Sequence, residues 1–266
     1  MCLAYVGGTL FDLRRSRDQA IMNAPRFVLT ALLAAIVMGG VAQAGVVTST
    51  LSAQYFLHAT DQDFQNGAFA SLSDLVSPTL GPDGLPVFNA ANSSGYVVHD
   101  LAAHNEISWW SPSASSSVTA DGSGVVTMPY ANGSMFPPGK TNDSSGFLTA
   151  TFSGNFQLAS ASNVSFTLGA DDDAFLYVDG VIVSQLGGIH GNTQVPVTTA
   201  LLGAGTHTIE LFYADRHTTQ ASLNFSLNSS NVVINAAPVP EPATLGLLGA
   251  GLAGLCLIRR LTARRA

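Results

Sequence analysis

Gly169-Ala170-Asp171-Asp172-Asp173-Ala174-Phe175-Leu176-Tyr177-Val178-Asp179-Gly180, followed by Val181-Ile182-Val183, is the stretch on which the fold turns. Two β-rich apolar runs flank Asp179-Gly180, a tight-turn dipeptide in which glycine takes a positive φ at little steric cost, so the stretch predicts a β-hairpin. The three aspartates stand at the mouth of that hairpin. Carboxylates so close together repel and raise one another's pKa. Solvent or a cation must relieve the repulsion, and Ca²⁺ is the hard ion best suited to carboxylate oxygens.

Outward from the hairpin the chain keeps a β character. Phe147 to Phe152, Val164 to Leu168, His207 to Tyr213 and Ala221 to Leu227 alternate apolar and polar residues, the period of a half-buried strand. Val46 to Leu51 and Tyr96-Val97-Val98 read as further strands, and the Ser/Gly-rich residues 111–124 read as a long loop. No helix-period segment of comparable length competes. The expected fold class is all-β, an antiparallel β-sandwich or jelly roll, with helices confined to an N-terminal signal and a short C-terminal apolar segment.

Charge narrows the partners. Of the 266 residues only 10% are charged, with net charge −7, well below the roughly 25% charged residues of an ordinary domain. Between Gly45 and Asn235 the basic residues are Lys140 and Arg216, against fourteen acidic ones. A phosphate backbone would be repelled, so nucleic acid is excluded as a partner. Arg216, in such surroundings, is expected to pair with a neighbouring carboxylate. Cys2 and Cys256 lie outside this region, which therefore has no disulfide framework.

The ends of the chain read as addresses. Residues 1–44 comprise an N-terminal extension and a secretory signal peptide. Arg26 precedes an apolar core from Phe27 to Met38, Ala42-Gln43-Ala44 offers a cleavage site, and Met22 is the expected start. Residues 45–235 form the β domain. Residues 236–266 carry Pro240-Glu241-Pro242, the apolar run Ala243 to Ile258 and the cluster Arg259-Arg260-Leu261-Thr262-Ala263-Arg264-Arg265. The run of sixteen residues is short of the roughly 20 that span a bilayer comfortably, and the arginines after it would stay cytoplasmic. Gly249-Ala250-Gly251-Leu252-Ala253-Gly254 fits a dinucleotide fingerprint by spacing alone. No strand precedes it, so it reads as a small-residue helix face.

Several candidate sites have plainer alternatives. Asp61-Gln62-Asp63-Phe64-Gln65-Asn66-Gly67 approximates an EF-hand loop, but its glycine falls one place late and Leu72 replaces the bidentate glutamate. The six histidines form no close pair of the zinc-site kind. Trp109 and Trp110 would face opposite sides of a strand, leaving one free to stack on a sugar ring or to cover a second core. Neither the G-x-S-x-G nor the H-E-x-x-H signature occurs, so no enzymatic activity is expected.

Two resemblances carry these observations further. Asp171 to Gly180, Leu186-Gly187-Gly188-Ile189-His190-Gly191 and Ala214-Asp215-Arg216-His217 together resemble the fibro-slime domain, of the protective-antigen and flocculin type of lectin-like β-sandwich. A weaker echo covers Gln54 to Phe64, Trp109-Trp110 and Met135-Phe136-Pro137-Pro138. In lectin-like relatives a pair of aspartates joined by a cis peptide holds Ca²⁺, which binds sugar hydroxyls. That resemblance implies Asp171 and Asp172 as the pair, with His190 and His217 in the family-like segments beside them at the ligand. Asp173 departs from the paired pattern and, as a third carboxylate within a few residues, is a further candidate metal ligand. The tail resembles the PEP-CTERM sorting signal, with Pro240, Glu241, Pro242, Arg259 and Arg260 as its marks. An exosortase-type enzyme would then process a transient inner-membrane anchor. The combined expectation is a non-catalytic cell-surface or extracellular-matrix protein that binds exopolysaccharide or another glycan with Ca²⁺. A purely structural matrix or biofilm protein is the alternative, and a polysaccharide-acting enzyme a third class.

Overall fold

The computed structural model describes residues 48–65, 70–92, 95–132, 147–217 and 221–238. The expected signal peptide, the Met135 to Pro138 neighbourhood, Lys140 and the sorting residues Pro240 to Arg260 lie outside them. No helix among the described residues is long and apolar enough to cross a membrane.

Thirteen strands occur among the described residues. The first five are β1 (Thr50–His58), β2 (Val76–Leu80), β3 (Pro86–Phe88), β4 (Val118–Thr127) and β5 (Tyr130–Asn132). Then come β6 (Phe147–Leu158), β7 (Ser165–Asp171), β8 (Asp173–Val178) and β9 (Val181–Leu186). The last four are β10 (Thr193–Thr198), β11 (Gly205–Ala214), β12 (Ser222–Leu227) and β13 (Ile234–Ala236). They form two antiparallel sheets. The larger runs β3-β2-β9-β8-β11-β6-β1-β4, with β13 also paired to β6, and the smaller runs β10-β7-β12-β5. This is the all-β, antiparallel sandwich that the alternating runs predict.

The larger sheet is buried on two faces at its centre, which explains why Ala174 to Val178 is continuously apolar rather than alternating. Along β8, Ala174, Leu176 and Val178 point between the sheets, where they meet Leu168 and Ala170 of β7 and Leu223 and Phe225 of β12. Phe175 and Tyr177 point the other way, into a second core with Phe212 of β11 and Phe147 of β6. The long connection from β1 to β4 covers that second core with Phe64, Leu75, Phe88, Val98, Ile107, Trp109 and Trp110.

The hairpin turn takes the expected form and goes one step further. Asp179 and Gly180 both have positive φ, 51° and 71°, the backbone of a two-residue turn matched to strand twist. Two local expectations fail. Residues 111–124 are not wholly loop, because Val118 begins β4, an exposed edge strand that pairs only with β1 among the described residues. Its polar, small residues suit an edge that meets water and hid it from an apolar count. Tyr96-Val97-Val98 joins no ladder and serves instead in the covering layer, with Val98 buried.

Candidate functional site

The aspartate triplet marks the point where the chain crosses from one sheet to the other. Asp171 ends β7 in the smaller sheet and Asp173 begins β8 in the larger, so Asp172 is the crossing residue. The Asp171–Asp172 peptide bond is cis. All three side chains are buried, with exposures of 5%, 1% and 0%. The solvated turn that a structural reading of the triplet allows is therefore not what the chain builds.

Register brings the other family-like segments to this crossing. β11 pairs antiparallel with β8 so that Ala214 lies opposite Asp173. The next residues, Asp215 and Arg216, consequently pass beside Asp172, and the Arg216 backbone N–H donates to Asp172 Oδ2 at 2.9 Å. From the opposite side the His190 N–H donates to Asp172 Oδ1 at 2.9 Å. Gly188, with φ of 89°, donates its N–H to Asp173 Oδ1 at 2.6 Å. A Cβ at Gly188 would meet the Ala70 carbonyl oxygen at 2.2 Å, so this position requires glycine for conformation and for space.

The three carboxylates have different company. Burial, reinforced by the neighbouring Asp172 charge, pushes Asp171 up to about 6. Burial also pushes Asp172 up to about 6, although the Arg216 and His190 N–H groups favour its ionised form. Asp173 lies deepest, and burial raises it well above the ordinary carboxylate range. Its Oδ2 stands 3.2 Å from Arg216 Nε, the pairing expected of this arginine. Arg216 is itself fully buried, its guanidinium carbon 4.7 Å from the Trp109 ring centroid and 5.2 Å from that of Tyr96. Burial lowers its pKa to about 10, opposed by the charges of Asp63 and Asp61.

Asp63, which the sequence marks only as part of an EF-hand-like stretch, organises this end of the second core. Its carboxylate accepts the backbone N–H groups of His99 and Asp100 at 3.0 and 2.9 Å and the Trp109 indole N–H at 3.0 Å. Its position two residues after Asp61, in a motif dismissed as a metal loop, gave no sign of these partners.

The histidine placements follow. His190 sits half-buried beside the crossing, its Nδ1 2.9 Å from the Gly191 carbonyl oxygen. His217 follows Arg216 and is also half-buried. His190 lines a groove of about 330 Å³ with Ser71, Ser73, Gln185, Gly187 and Thr193. Trp109 and Trp110 correct the expectation that one of them is exposed. They lie in a turn, not a strand, and both are buried, with Trp110 Nε1 donating to the Tyr213 carbonyl at 2.7 Å. They cover the second core, and neither ring is available to a sugar.

Known proteins resemble parts of this chain. A family model described as the PA14 domain matches residues 137–238, and the PEP-CTERM protein-sorting motif matches residues 238–260. Protein psiD of Dictyostelium discoideum is 26% identical over 197 residues, 64% of this chain and 38% of that protein. Protein psiC of the same organism is 26% identical over 200 residues, again 64% of this chain and 38% of the relative. The chain thus spans 38% or less of the length of the curated relatives it matches. Among solved structures, the PA14 sugar-binding domain from an RTX adhesin superposes with a TM-score of 0.34 at 16% identity, covering 70% of this chain and 94% of that one.

Proposed function

We propose that this chain is an exported, non-catalytic surface protein whose β-sandwich binds carbohydrate with the help of Ca²⁺ held at Asp171 and Asp172. The observation that carries the reading is this pair of adjacent carboxylates at the sheet crossing, each pushed up to about 6. Burial outweighs the His190 charge and the backbone N–H groups that favour their ionised forms, and an all-oxygen donor set suits a hard cation. Asp173 serves differently, because its oxygens engage the Gly188 N–H and the Arg216 guanidinium. It orients the crossing from inside.

Bound there, Ca²⁺ would supply the counter-charge and open positions for vicinal sugar hydroxyls. The chain's own residues do the rest. The His190 and Arg216 N–H groups fix the orientation of Asp172. The groove beside His190 offers Ser71, Ser73, Gln185 and Thr193 as hydroxyl and amide partners. His190 and His217 flank the site as polar ligands for the glycan.

The PEP-CTERM motif supports export through a transient inner-membrane anchor formed by Ala243 to Ile258, which an exosortase-type enzyme removes. The mature protein then resides at the cell surface or in the matrix, with exopolysaccharide as its partner. The fibro-slime resemblance of three ordered segments supports the lectin-like side of the reading. A glycan array run in Ca²⁺ and in chelator tests it. Calcium-dependent binding that Asp172→Asn abolishes is the expected outcome. Binding to no glycan in either condition would favour the structural matrix protein instead.

A further inference from the structure

At the far end of β1 the chain brings together His58, Asp61 and Asp100, whose candidate ligand atoms lie within 4.8 Å of one another. His58 is the last residue of β1 and is completely buried. Its ring stacks on Phe64 at 3.8 Å between centroids, which fixes the ring plane. Its Nδ1 lies 2.8 Å from the Ala59 carbonyl oxygen and donates to it, so the remaining nitrogen, Nε2, carries the lone pair. That Nε2 has no hydrogen-bond partner, although it points at Asp100 Oδ2, 3.4 Å away. Asp61 Oδ2 stands 3.4 Å from the same ring on its other nitrogen.

A direct ion pair explains this corner poorly. A protonated imidazole bonded to a carboxylate closes to about 2.7–2.9 Å, whereas the Nε2 to Oδ2 distance is 3.4 Å. Two ligand atoms bound to one tetrahedral Zn²⁺ at about 2.0–2.1 Å lie about 3.3–3.4 Å apart, which is the spacing of His58 Nε2 and Asp100 Oδ2, and Asp61 completes the group within 4.8 Å. The outer partners are also those that hold metal ligands in place. Asp61 Oδ1 accepts the backbone N–H groups of Asp63 and Phe64 at 2.9 and 3.0 Å, leaving Oδ2 turned toward His58. The Asp63 carboxylate binds the His99 and Asp100 N–H groups and so sets the Asp100 loop against β1. His58 Nε2 and Asp100 Oδ2 are each buried and without a hydrogen-bond partner among the described residues, and Asp61 Oδ2 is buried beside them. The two carboxylate side chains are 23% and 20% exposed, so the corner lies just beneath the surface.

We infer that His58, Asp61 and Asp100 form a second cation site, distinct from the Asp171–Asp172 pair, that takes one divalent transition ion of the Zn²⁺ type. An imidazole nitrogen with two carboxylates favours a borderline ion over Ca²⁺, which prefers six to eight oxygens. The site ties the end of β1 in the larger sheet to the loop at Asp100 in the layer that covers the second core.

The test uses the full chain, stripped of metal by chelator and titrated with Zn²⁺ by calorimetry and with Co²⁺ by visible absorption. The expected result is one equivalent of Zn²⁺ that excess Ca²⁺ does not displace, with a Co²⁺ spectrum of tetrahedral type. Asp172→Asn should leave this binding unchanged. Asp100→Asn, in a partly exposed loop, and His58→Gln should each weaken it by more than about a hundredfold, beyond the loss that an outer partner causes. Should His58→Gln fail to fold, the Asp100→Asn result decides alone. No uptake by the wild type, or equal uptake by Asp100→Asn, would overturn the assignment, as would uptake that Asp172→Asn removes.

Discussion

The two ends of β8 carry aspartates in opposite circumstances. At its C-terminal end Asp179 stands in a tight turn with its side chain 43% exposed, bonded to His207 Nδ1 at 2.6 Å and to the Thr208 N–H at 2.9 Å. Burial pushes Asp179 up, but His207 and the Thr208 N–H outweigh it and hold the group below its ordinary value. At the N-terminal end, Asp171 to Asp173 are buried, and all three are raised. The same residue type, six positions apart, is thus a self-sufficient turn clasp at one end and, at the other, a buried cluster in which Asp173 faces the Arg216 guanidinium while Asp171 and Asp172 do not. The difference teaches that a carboxylate cluster becomes a cation-site candidate through burial without matched positive charge, and not through number.

The largest expected effect falls on Arg216, the cation beside Asp173 at the buried end. Arg216→Ala removes the partner of Asp173 and the group stacked on Trp109, and should destabilise the fold by about 3–5 kcal/mol. Urea denaturation measures it. A loss under about 1 kcal/mol would mean that Asp173 does not depend on Arg216, and the contrast between the two ends would weaken.

Next comes pH. An aspartate with a folded value near 6 keeps its proton where the unfolded chain, near 3.9, has released it. Between about pH 4 and 6 the folded state then binds more protons, so without Ca²⁺ stability should fall as pH rises through that window. The pair should contribute on the order of 2 kcal/mol once solvent screening at Asp171 is allowed for. In chelator, the urea midpoint should be higher at pH 5 than at pH 7, and Asp171→Asn with Asp172→Asn should flatten the slope. The opposite slope in the wild type would show that the pair is ionised and satisfied without a metal.

The turn clasp should respond least, and elsewhere on the pH scale. With Asp179 lowered, its contribution is present above its unfolded value and lost only as pH falls through the folded one. His207 is raised by its bond to Asp179, so its contribution persists below about 6.5 and is lost as pH rises through the folded value. Asp179→Asn keeps a residue that tolerates the positive φ and removes the charge, at an expected cost of about 0.5–1 kcal/mol in thermal melting near neutral pH. A cost as large as that of Arg216→Ala would erase the distinction between exposed and buried ends.

Much of this contrast is legible in the sequence. Asp179-Gly180 announces the turn, and Ala174 to Val178 announces a strand. The scarcity of basic residues makes an Arg216–carboxylate pair close to unavoidable. What is not legible depends on layers that pattern alone does not order. The burial of Asp171 to Asp173 follows from a crossing between sheets, which looks locally like any acidic turn. Trp109 and Trp110 lie in a turn beneath the covering layer, so the strand rule that would expose one of them does not apply. Asp63 and Asp100 reach their partners through loops separated by more than thirty residues, and no spacing rule captures such a meeting.

The most direct test of the calcium pair is the melting temperature of the full chain in Ca²⁺ and in chelator, for the wild type and for the double variant Asp171→Asn, Asp172→Asn. Binding to the folded state alone stabilises it by about 2.7 kcal/mol at a hundredfold excess over Kd, a rise of roughly 5–10 °C for a domain of this size. The wild type should show that rise and the double variant should lose it. Equal melting temperatures of the wild type in Ca²⁺ and chelator, or a rise that the double variant retains in full, would contradict a calcium site at the sheet crossing.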